Sequence, residues 1–151
     1  MRTIQYCPSI LSDGVTSYSP IAVRKLFGGM RVSPYLDFSF EDDGSQDELA
    51  ENMQNLSISG AQEKYGAVLR DGKICLATDD EQSTHILKPA PIDKISYRKQ
   101  IPCNEHLTMQ LASQVYGIQT AACGLCFAAD GQPVYITRRF DVLPDGSKLM
   151  Q

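Results

Sequence analysis

The second half of the chain is a series of short apolar runs separated by turn residues. Two of these runs, KYGAVLR at 64–70 and KICLA at 73–77, are joined by Asp71 and Gly72, a pair that favours tight hairpin turns. A third run, THILK at 84–88, also has strand character. The pattern therefore predicts a hairpin followed by a third strand.

A second hairpin is predicted near the end of the chain. The segment AACGLCFAADGQPVYITRRF, residues 121–140, is apolar on both sides of Asp130 and Gly131. This Asp-Gly pair again marks a turn between two strands.

Two segments have the marks of helices. In SPIAVRKLFGG, Ser19 can cap the helix, Pro20 suits the first helical position and Gly28 can end it in a left-handed conformation. The longer helix is predicted in CNEHLTMQLASQVYG, residues 103–117.

The longer helix has a single apolar stripe. Leu107, Leu111 and Val115 recur at helical spacing, Asn104 can cap the start and Gly117 can close the end. Hairpin, strand, helix and hairpin in this order predict an α+β fold, a small antiparallel β-sheet with one main helix.

The chain divides into three parts by composition. Its 151 residues have the usual size of one domain. We expect an N-terminal segment at 1–52 with the short helix, a sheet-and-helix unit at 53–142 and a truncated tail at 143–151. The run from Asp37 to Glu51 holds seven acids and no base, which indicates a mobile, solvated linker.

Charge and composition exclude several classes of protein. The net charge is −4 and the apolar runs are only a handful of residues long, so we expect neither a nucleic-acid surface nor a membrane span. The first ten residues lack the features of a secretory signal. Five cysteines without a repeated spacing fit reduced thiols. These features favour a soluble, cytoplasmic protein.

Lys88 and Glu105 are the first candidates for a functional site. Lys88 ends an apolar strand, so its ammonium must emerge at an edge or meet an anion. Glu105 is predicted in the first turn of the long helix, where the helix dipole favours a carboxylate. A strand lysine with a helix glutamate positions nucleotide phosphates in protein kinases. Taken alone, the two residues fit a structural role better, because both placements are common.

A serine-rich segment precedes the first strand. Ser57, Ser59 and Gly60 could form a loop whose backbone amides bind an anion. The chain has neither G-x-G-x-x-G nor G-x-x-x-x-G-K-[ST] here, which excludes a dinucleotide fold and a Walker A loop. Without further support, an ordinary turn is the better interpretation.

Cysteines and histidines offer weaker candidates. Cys123 and Cys126 form a C-x-x-C motif, but they lie in an apolar strand without a second ligand pair, so packed thiols are favoured over a redox or zinc site. Cys7 has no cysteine neighbour. His85 and His106 lack a partner acid or nucleophile, which indicates structural or surface residues.

Four segments together resemble the N-terminal lobe of HipA-like serine/threonine kinases, the bacterial toxin-type kinases. In that family's order and spacing, they are SISGAQEK at 57–64, THILKP at 84–89, NEHLTMQLASQVYGI at 104–118 and YITRRFD at 135–141. The resemblance covers about residues 53–142 and implies a protein-kinase-like N-lobe. The SIS sequence and the short upstream region are most similar to the HipT subgroup, in which a separate small protein supplies the N-terminal subdomain.

The resemblance implies roles for the matched residues. Lys88 would contact the phosphates of ATP, which binds with Mg²⁺, and Glu105 would hold Lys88. The hinge around adenine would consist of Arg138, Arg139 and Phe140, with Asp141 close by. The phosphate loop would consist of Ser57, Ser59, Gly60, Ala61, Gln62 and Lys64. The two loop serines match positions that are autophosphorylated in the HipT subgroup, and phosphate charge there would repel ATP.

The resemblance also implies partners and a reaction. A DNA-binding antitoxin of the HipB type would be the partner, with a small companion protein as a further candidate, and full-length relatives phosphorylate aminoacyl-tRNA synthetases. In this family the Asp and Asn residues of phosphoryl transfer lie in a C-terminal lobe, and no catalytic loop precedes Gln151. Two functions stay open: the ATP-binding lobe of a toxin kinase, or a noncatalytic lobe that binds and regulates another protein.

Overall fold

The computed structural model describes residues 7–10, 16–40, 62–91, 96–142 and 147. In these ranges the α-helices are α1 (Pro20–Lys25) and α2 (Ile101–Gln110). One antiparallel sheet contains β1 (Tyr65–Arg70), β2 (Lys73–Leu76), β3 (His85–Lys88), β4 (Cys123–Phe127) and β5 (Pro133–Arg138). The predicted α+β fold, a small antiparallel sheet with one main helix, is confirmed.

The sheet has the strand order β2-β1-β3-β5-β4, so β3 lies at its centre. Both predicted hairpins are present. In the first, Asp71 has a φ of 50° and Gly72 a φ of 75°, as expected for a two-residue turn with both central residues left-handed. In the second, Gly131 has a φ of 80° and the Asp130 carboxylate accepts a hydrogen bond from the Gln132 amide at 2.9 Å.

Helix α1 begins as the sequence predicts. The Ser19 hydroxyl accepts a hydrogen bond from the Ala22 amide at 3.2 Å, which satisfies one of the first free N–H groups of the helix. Pro20 occupies the first turn, and Gly28 follows the helix in a left-handed conformation with a φ of 63°.

The predicted start of the longer helix is wrong. Helix α2 begins at Ile101, after a 3₁₀ turn at Arg98–Gln100, and Asn104 lies inside it instead of capping it. Pro102 explains the earlier start, because proline suits the first helical turn, where its missing N–H has no intrahelical partner. A wider helical turn, Leu111–Val115, extends the element toward Gly117, which has a φ of 64°.

The described part of the N-terminal segment packs on one face of the sheet. The Tyr18 hydroxyl donates to the Leu125 carbonyl at 2.7 Å, and the Leu36 amide donates to the Phe127 carbonyl at 2.8 Å. The buried core between this segment and the sheet includes Tyr18, Leu26, Phe27, Leu36, Tyr65, Ala67, Leu87, Cys126, Val134 and Ile136. Helix α2 packs against β4 and β5.

The described part of the acidic run is anchored to the sheet. Asp37 forms an ion pair with Lys73 at 2.8 Å, and the rings of Phe38 and Phe40 meet edge to face at 5.4 Å beside the core. The rest of the predicted linker, 41–51, lies outside the described residues. In the described ranges, no helix combines the length and apolar character that a membrane crossing requires.

Candidate functional site

Lys88 and Glu105 meet as the sequence predicts. The Lys88 Nζ donates a hydrogen bond to Glu105 Oε1, which makes the contact an ion pair. The two side chains are 22% and 27% exposed. A pair this well shielded is weakened less by water and salt than a surface pair, yet it remains within reach of a ligand.

Strand alternation explains why Lys88 faces α2. Along β3, His85 and Leu87 are buried, whereas Ile86 and Lys88 are half-buried. Because successive side chains point to opposite faces, Leu87 packs into the core under the N-terminal segment and Lys88 emerges on the face that carries Glu105. Glu105 is the fifth residue of α2 and lies one turn deeper in the helix than the sequence predicts.

Tyr135 is a third member of the site, and the sequence reasoning missed it. In the pairing of β3 with β5, Tyr135 is the direct cross-strand partner of Lys88. The Lys88 ammonium lies over the Tyr135 ring, 5.3 Å from its centre, which is within cation–π range. The run VYITR carried a usable signal, because its alternation pairs Tyr135 with Thr137 on one face, but the face itself required the strand register.

The described end of the predicted phosphate loop reaches the same end of the sheet. The Gln62 side-chain amide donates to the carbonyl of Pro89, the residue after Lys88, at 3.3 Å. Tyr65, the first residue of β1, pairs with Leu87, and Lys64 immediately precedes it. The other predicted loop residues, Ser57, Ser59, Gly60 and Ala61, lie outside the described residues.

The predicted hinge begins at Arg138, the last residue of β5, and both of its arginine side chains form bonds within the chain. Arg138 Nη1 donates to the Lys25 carbonyl at the end of α1, at 3.2 Å. Arg139 donates hydrogen bonds to both carboxylate oxygens of Asp141, at 2.9 and 2.5 Å, and these bonds raise the pKa of Arg139. Phe140 is 80% exposed. Phe140 is therefore the hinge side chain with an open apolar surface.

Two backbone amides of the hinge also form hydrogen bonds within the fold. The amide of Arg138 donates to the Ala122 carbonyl and the amide of Arg139 to the Thr84 carbonyl, each at 2.9 Å. Neither N–H group can therefore serve a ligand without breaking a bond within the fold.

Both histidines are buried. His85 Nε2 lies 2.8 Å from the Leu26 carbonyl and Nδ1 lies 2.8 Å from the Thr84 hydroxyl, and burial lowers the pKa of His85. His106 on α2 is fully buried with no hydrogen bond at either ring nitrogen. Burial lowers the pKa of His106 to about 4. His106 is therefore a buried imidazole that is neutral near pH 7.

The C-x-x-C thiols are buried on β4 and unbonded to each other. Their spacing of three places them on opposite faces of the strand. Burial raises the pKa of both Cys123 and Cys126, which disfavours the reactive thiolate. The expectation of packed thiols agrees with this placement.

No group of three His, Cys, Asp or Glu side chains in the described ranges is arranged to hold a metal ion. The Lys88 ammonium, held by Glu105 at the end of the central strand and partly exposed, has the chemistry to bind an anion such as phosphate.

Comparison with known proteins decides the family. Residues 56–151, more than half of the chain, match the family model described as HipA-like C-terminal domain. The chain belongs to the HipA-like C-terminal domain family. This HipA-like match includes the whole sheet, α2 and every predicted site residue, and α1 lies before it.

One curated relative has the word kinase in its name. The chain is 36% identical over 86 residues to the protein named "Putative kinase Y4mE" of Sinorhizobium fredii (strain NBRC 101917 / NGR234). The aligned region is 57% of this chain and 19% of that protein. The HipA-like chain therefore spans about a fifth of the length of this relative.

Proposed function

We propose that this HipA-like chain is the ATP-binding lobe of a serine/threonine protein kinase of the HipT type. The Lys88–Glu105 ion pair carries the proposal, because it holds a partly exposed ammonium at the end of the central strand, where phosphate could reach it. The kinase name of the relative from Sinorhizobium fredii supports the same reaction class.

The strand register suggests how ATP would lie along the sheet. Arg138, where the hinge begins, pairs with His85 on β3, and Lys88 is three residues farther along that strand. At about 3.3 Å per residue, the phosphate end and the hinge end are about 10 Å apart. Phosphates would bind at Lys88 and adenine at the hinge. Phe140 would supply the apolar contact, since both arginine side chains are committed elsewhere.

Regulation would act at the phosphate end. Phosphates on Ser57 and Ser59 would bring about two negative charges each into the loop that ends near Lys88. They would compete with the ATP phosphates for the same ammonium and switch the kinase off. Mg²⁺ would bind with the nucleotide. The full-length protein would phosphorylate an aminoacyl-tRNA synthetase in the cytoplasm as a toxin, with a DNA-binding antitoxin and a small companion protein as partners.

Isothermal titration calorimetry with Mg·ATP tests the proposal. Lys88→Met should weaken binding at least tenfold, because it removes the charge that meets the phosphates. Glu105→Gln should weaken binding less, because the ammonium remains but loses its partner.

Lys73→Met is the matched control. Lys73 is also a strand lysine in an ion pair, but it pairs with Asp37 on an exposed edge, so this variant should bind Mg·ATP like the wild type. Equal affinities for Lys88→Met and Lys73→Met, with both variants folded by circular dichroism, would refute the proposal. Failure of the wild-type chain to bind Mg·ATP would favour the noncatalytic alternative.

A further inference from the structure

We propose that Tyr135 is a positioning residue for Lys88, with its ring face holding the ammonium in place for phosphate. The inference rests on the proposed function and extends it to a residue of the segment YITRRFD to which the resemblance gives no role. Lys88 and Tyr135 are paired across β3 and β5, and the ammonium lies 5.3 Å from the ring centre.

The Tyr135 ring is fixed in place. Tyr135 is only 2% exposed, and in the sheet it pairs with Lys88 of β3 on one side and with Leu125 of β4 on the other. Burial raises the pKa of Tyr135, so the ring stays neutral and its hydroxyl protonated near neutral pH. A rigid aromatic face therefore lies under a flexible lysine side chain.

A ring is suited to this task because it attracts the ammonium without accepting its N–H groups in normal hydrogen bonds. A lysine ammonium has three donors, and Glu105 accepts one of them. The ring quadrupole adds attraction over its face, which leaves the other donors for phosphate oxygens. A second carboxylate at this position would compete with the phosphates instead.

Affinity for Mg·ATP gives the first test. Tyr135→Phe keeps the ring and should bind within about twofold of the wild type, whereas Tyr135→Leu should bind about three- to tenfold more weakly. Tyr18→Leu is the control for loss of a buried ring, because Tyr18 lies on the opposite face of the sheet and should leave the affinity unchanged.

Nuclear magnetic resonance of the nucleotide-free protein gives a second readout, the chemical shift of the Lys88 side-chain protons. A Tyr135 ring that only filled space away from Lys88 would not shift these protons. The ε-methylene protons of Lys88 should show an upfield ring-current shift that persists in Tyr135→Phe and disappears in Tyr135→Leu.

The possible results separate the two proposals. Wild-type affinity in Tyr135→Leu, or equal losses in Tyr135→Phe and Tyr135→Leu, would overturn the role of the ring while leaving the ATP site intact. Unchanged binding in Lys88→Met would instead refute the proposed function. In that case the ring-current shift would still decide whether Tyr135 holds Lys88.

Discussion

His106 shows how one residue can set the acid sensitivity of the molecule. Its imidazole is fully buried on α2, next in sequence to Glu105, and neither nitrogen has a hydrogen bond. A buried polar group without a partner costs roughly 1–3 kcal/mol. Protonation would add an uncompensated charge, which explains why the pKa of His106 falls to about 4.

We predict that His106 makes the fold less stable in mild acid. Unfolding restores a pKa near 6.5, so the unfolded chain takes up a proton on this residue between pH 6.5 and 4 while the folded chain does not. The free energy of unfolding is therefore highest above pH 6.5 with respect to this residue, and it falls as the pH drops toward 4. Between pH 7 and pH 5 the loss should be about 2 kcal/mol, measured by urea unfolding.

His106→Leu is the matched variant for this prediction. It replaces the titrating imidazole with an apolar side chain, and His85, the other histidine of the chain, stays in place. The variant should lose less stability than the wild type between pH 7 and pH 5. Parallel losses in the two proteins would show that His106 does not titrate as the structure implies.

Individual residues differed in how well the sequence predicted them. Lys88 and Glu105 were predictable because a lysine that ends an apolar strand and an acid near a helix start both need a partner. Tyr135 was not, because a tyrosine in an apolar strand suits either face and only the register with β3 assigns one. No hydrophobic periodicity in the sequence indicated that His106 would be buried.

Among the structural elements, turns were predicted better than helix limits. The Asp-Gly pairs specify left-handed backbone, so both hairpins follow from local chemistry. The start of α2 was missed because Asn104 is a good cap, but Pro102 and the preceding 3₁₀ turn begin the helix earlier. The apolar stripe of Leu107, Leu111 and Val115 is 45–67% exposed, because the buried residues of the helix are instead Pro102 and His106.

Gly72 supplies a prediction at the element scale. Gly72→Ala should destabilise the fold by about 1–2 kcal/mol, because the position has a φ of 75° and an added Cβ would lie 3.0 Å from the Arg31 carbonyl oxygen. Gly131→Ala is the control, with a φ of 80° and open space around the new Cβ. Urea unfolding should show a smaller loss for Gly131→Ala. Equal losses would mean that the Arg31 contact relaxes at no cost.

For the whole molecule, the sequence predicts the sheet and helix but not what covers the sheet. Tyr18, Leu26 and Leu36, from the N-terminal segment, share one hydrophobic core with the strands. Long-range packing of this kind leaves no local periodicity to detect. The proposed division at residue 52 remains a prediction, and the core joins residues from both sides of it.

At the same scale, three distant segments converge on the Lys88 end of the sheet. The carboxylate comes from α2, the ring from β5 and the described end of the loop from Gln62. The proposed ATP site depends on this convergence more than on any one motif.

A crystal structure with Mg²⁺ and a non-hydrolysable ATP analogue tests this convergence most directly. We predict a phosphate oxygen about 3 Å from Lys88 Nζ, with Glu105 still paired to that lysine and the Tyr135 ring beneath it. A nucleotide bound elsewhere, or one whose phosphates make no contact with Lys88, would contradict the account.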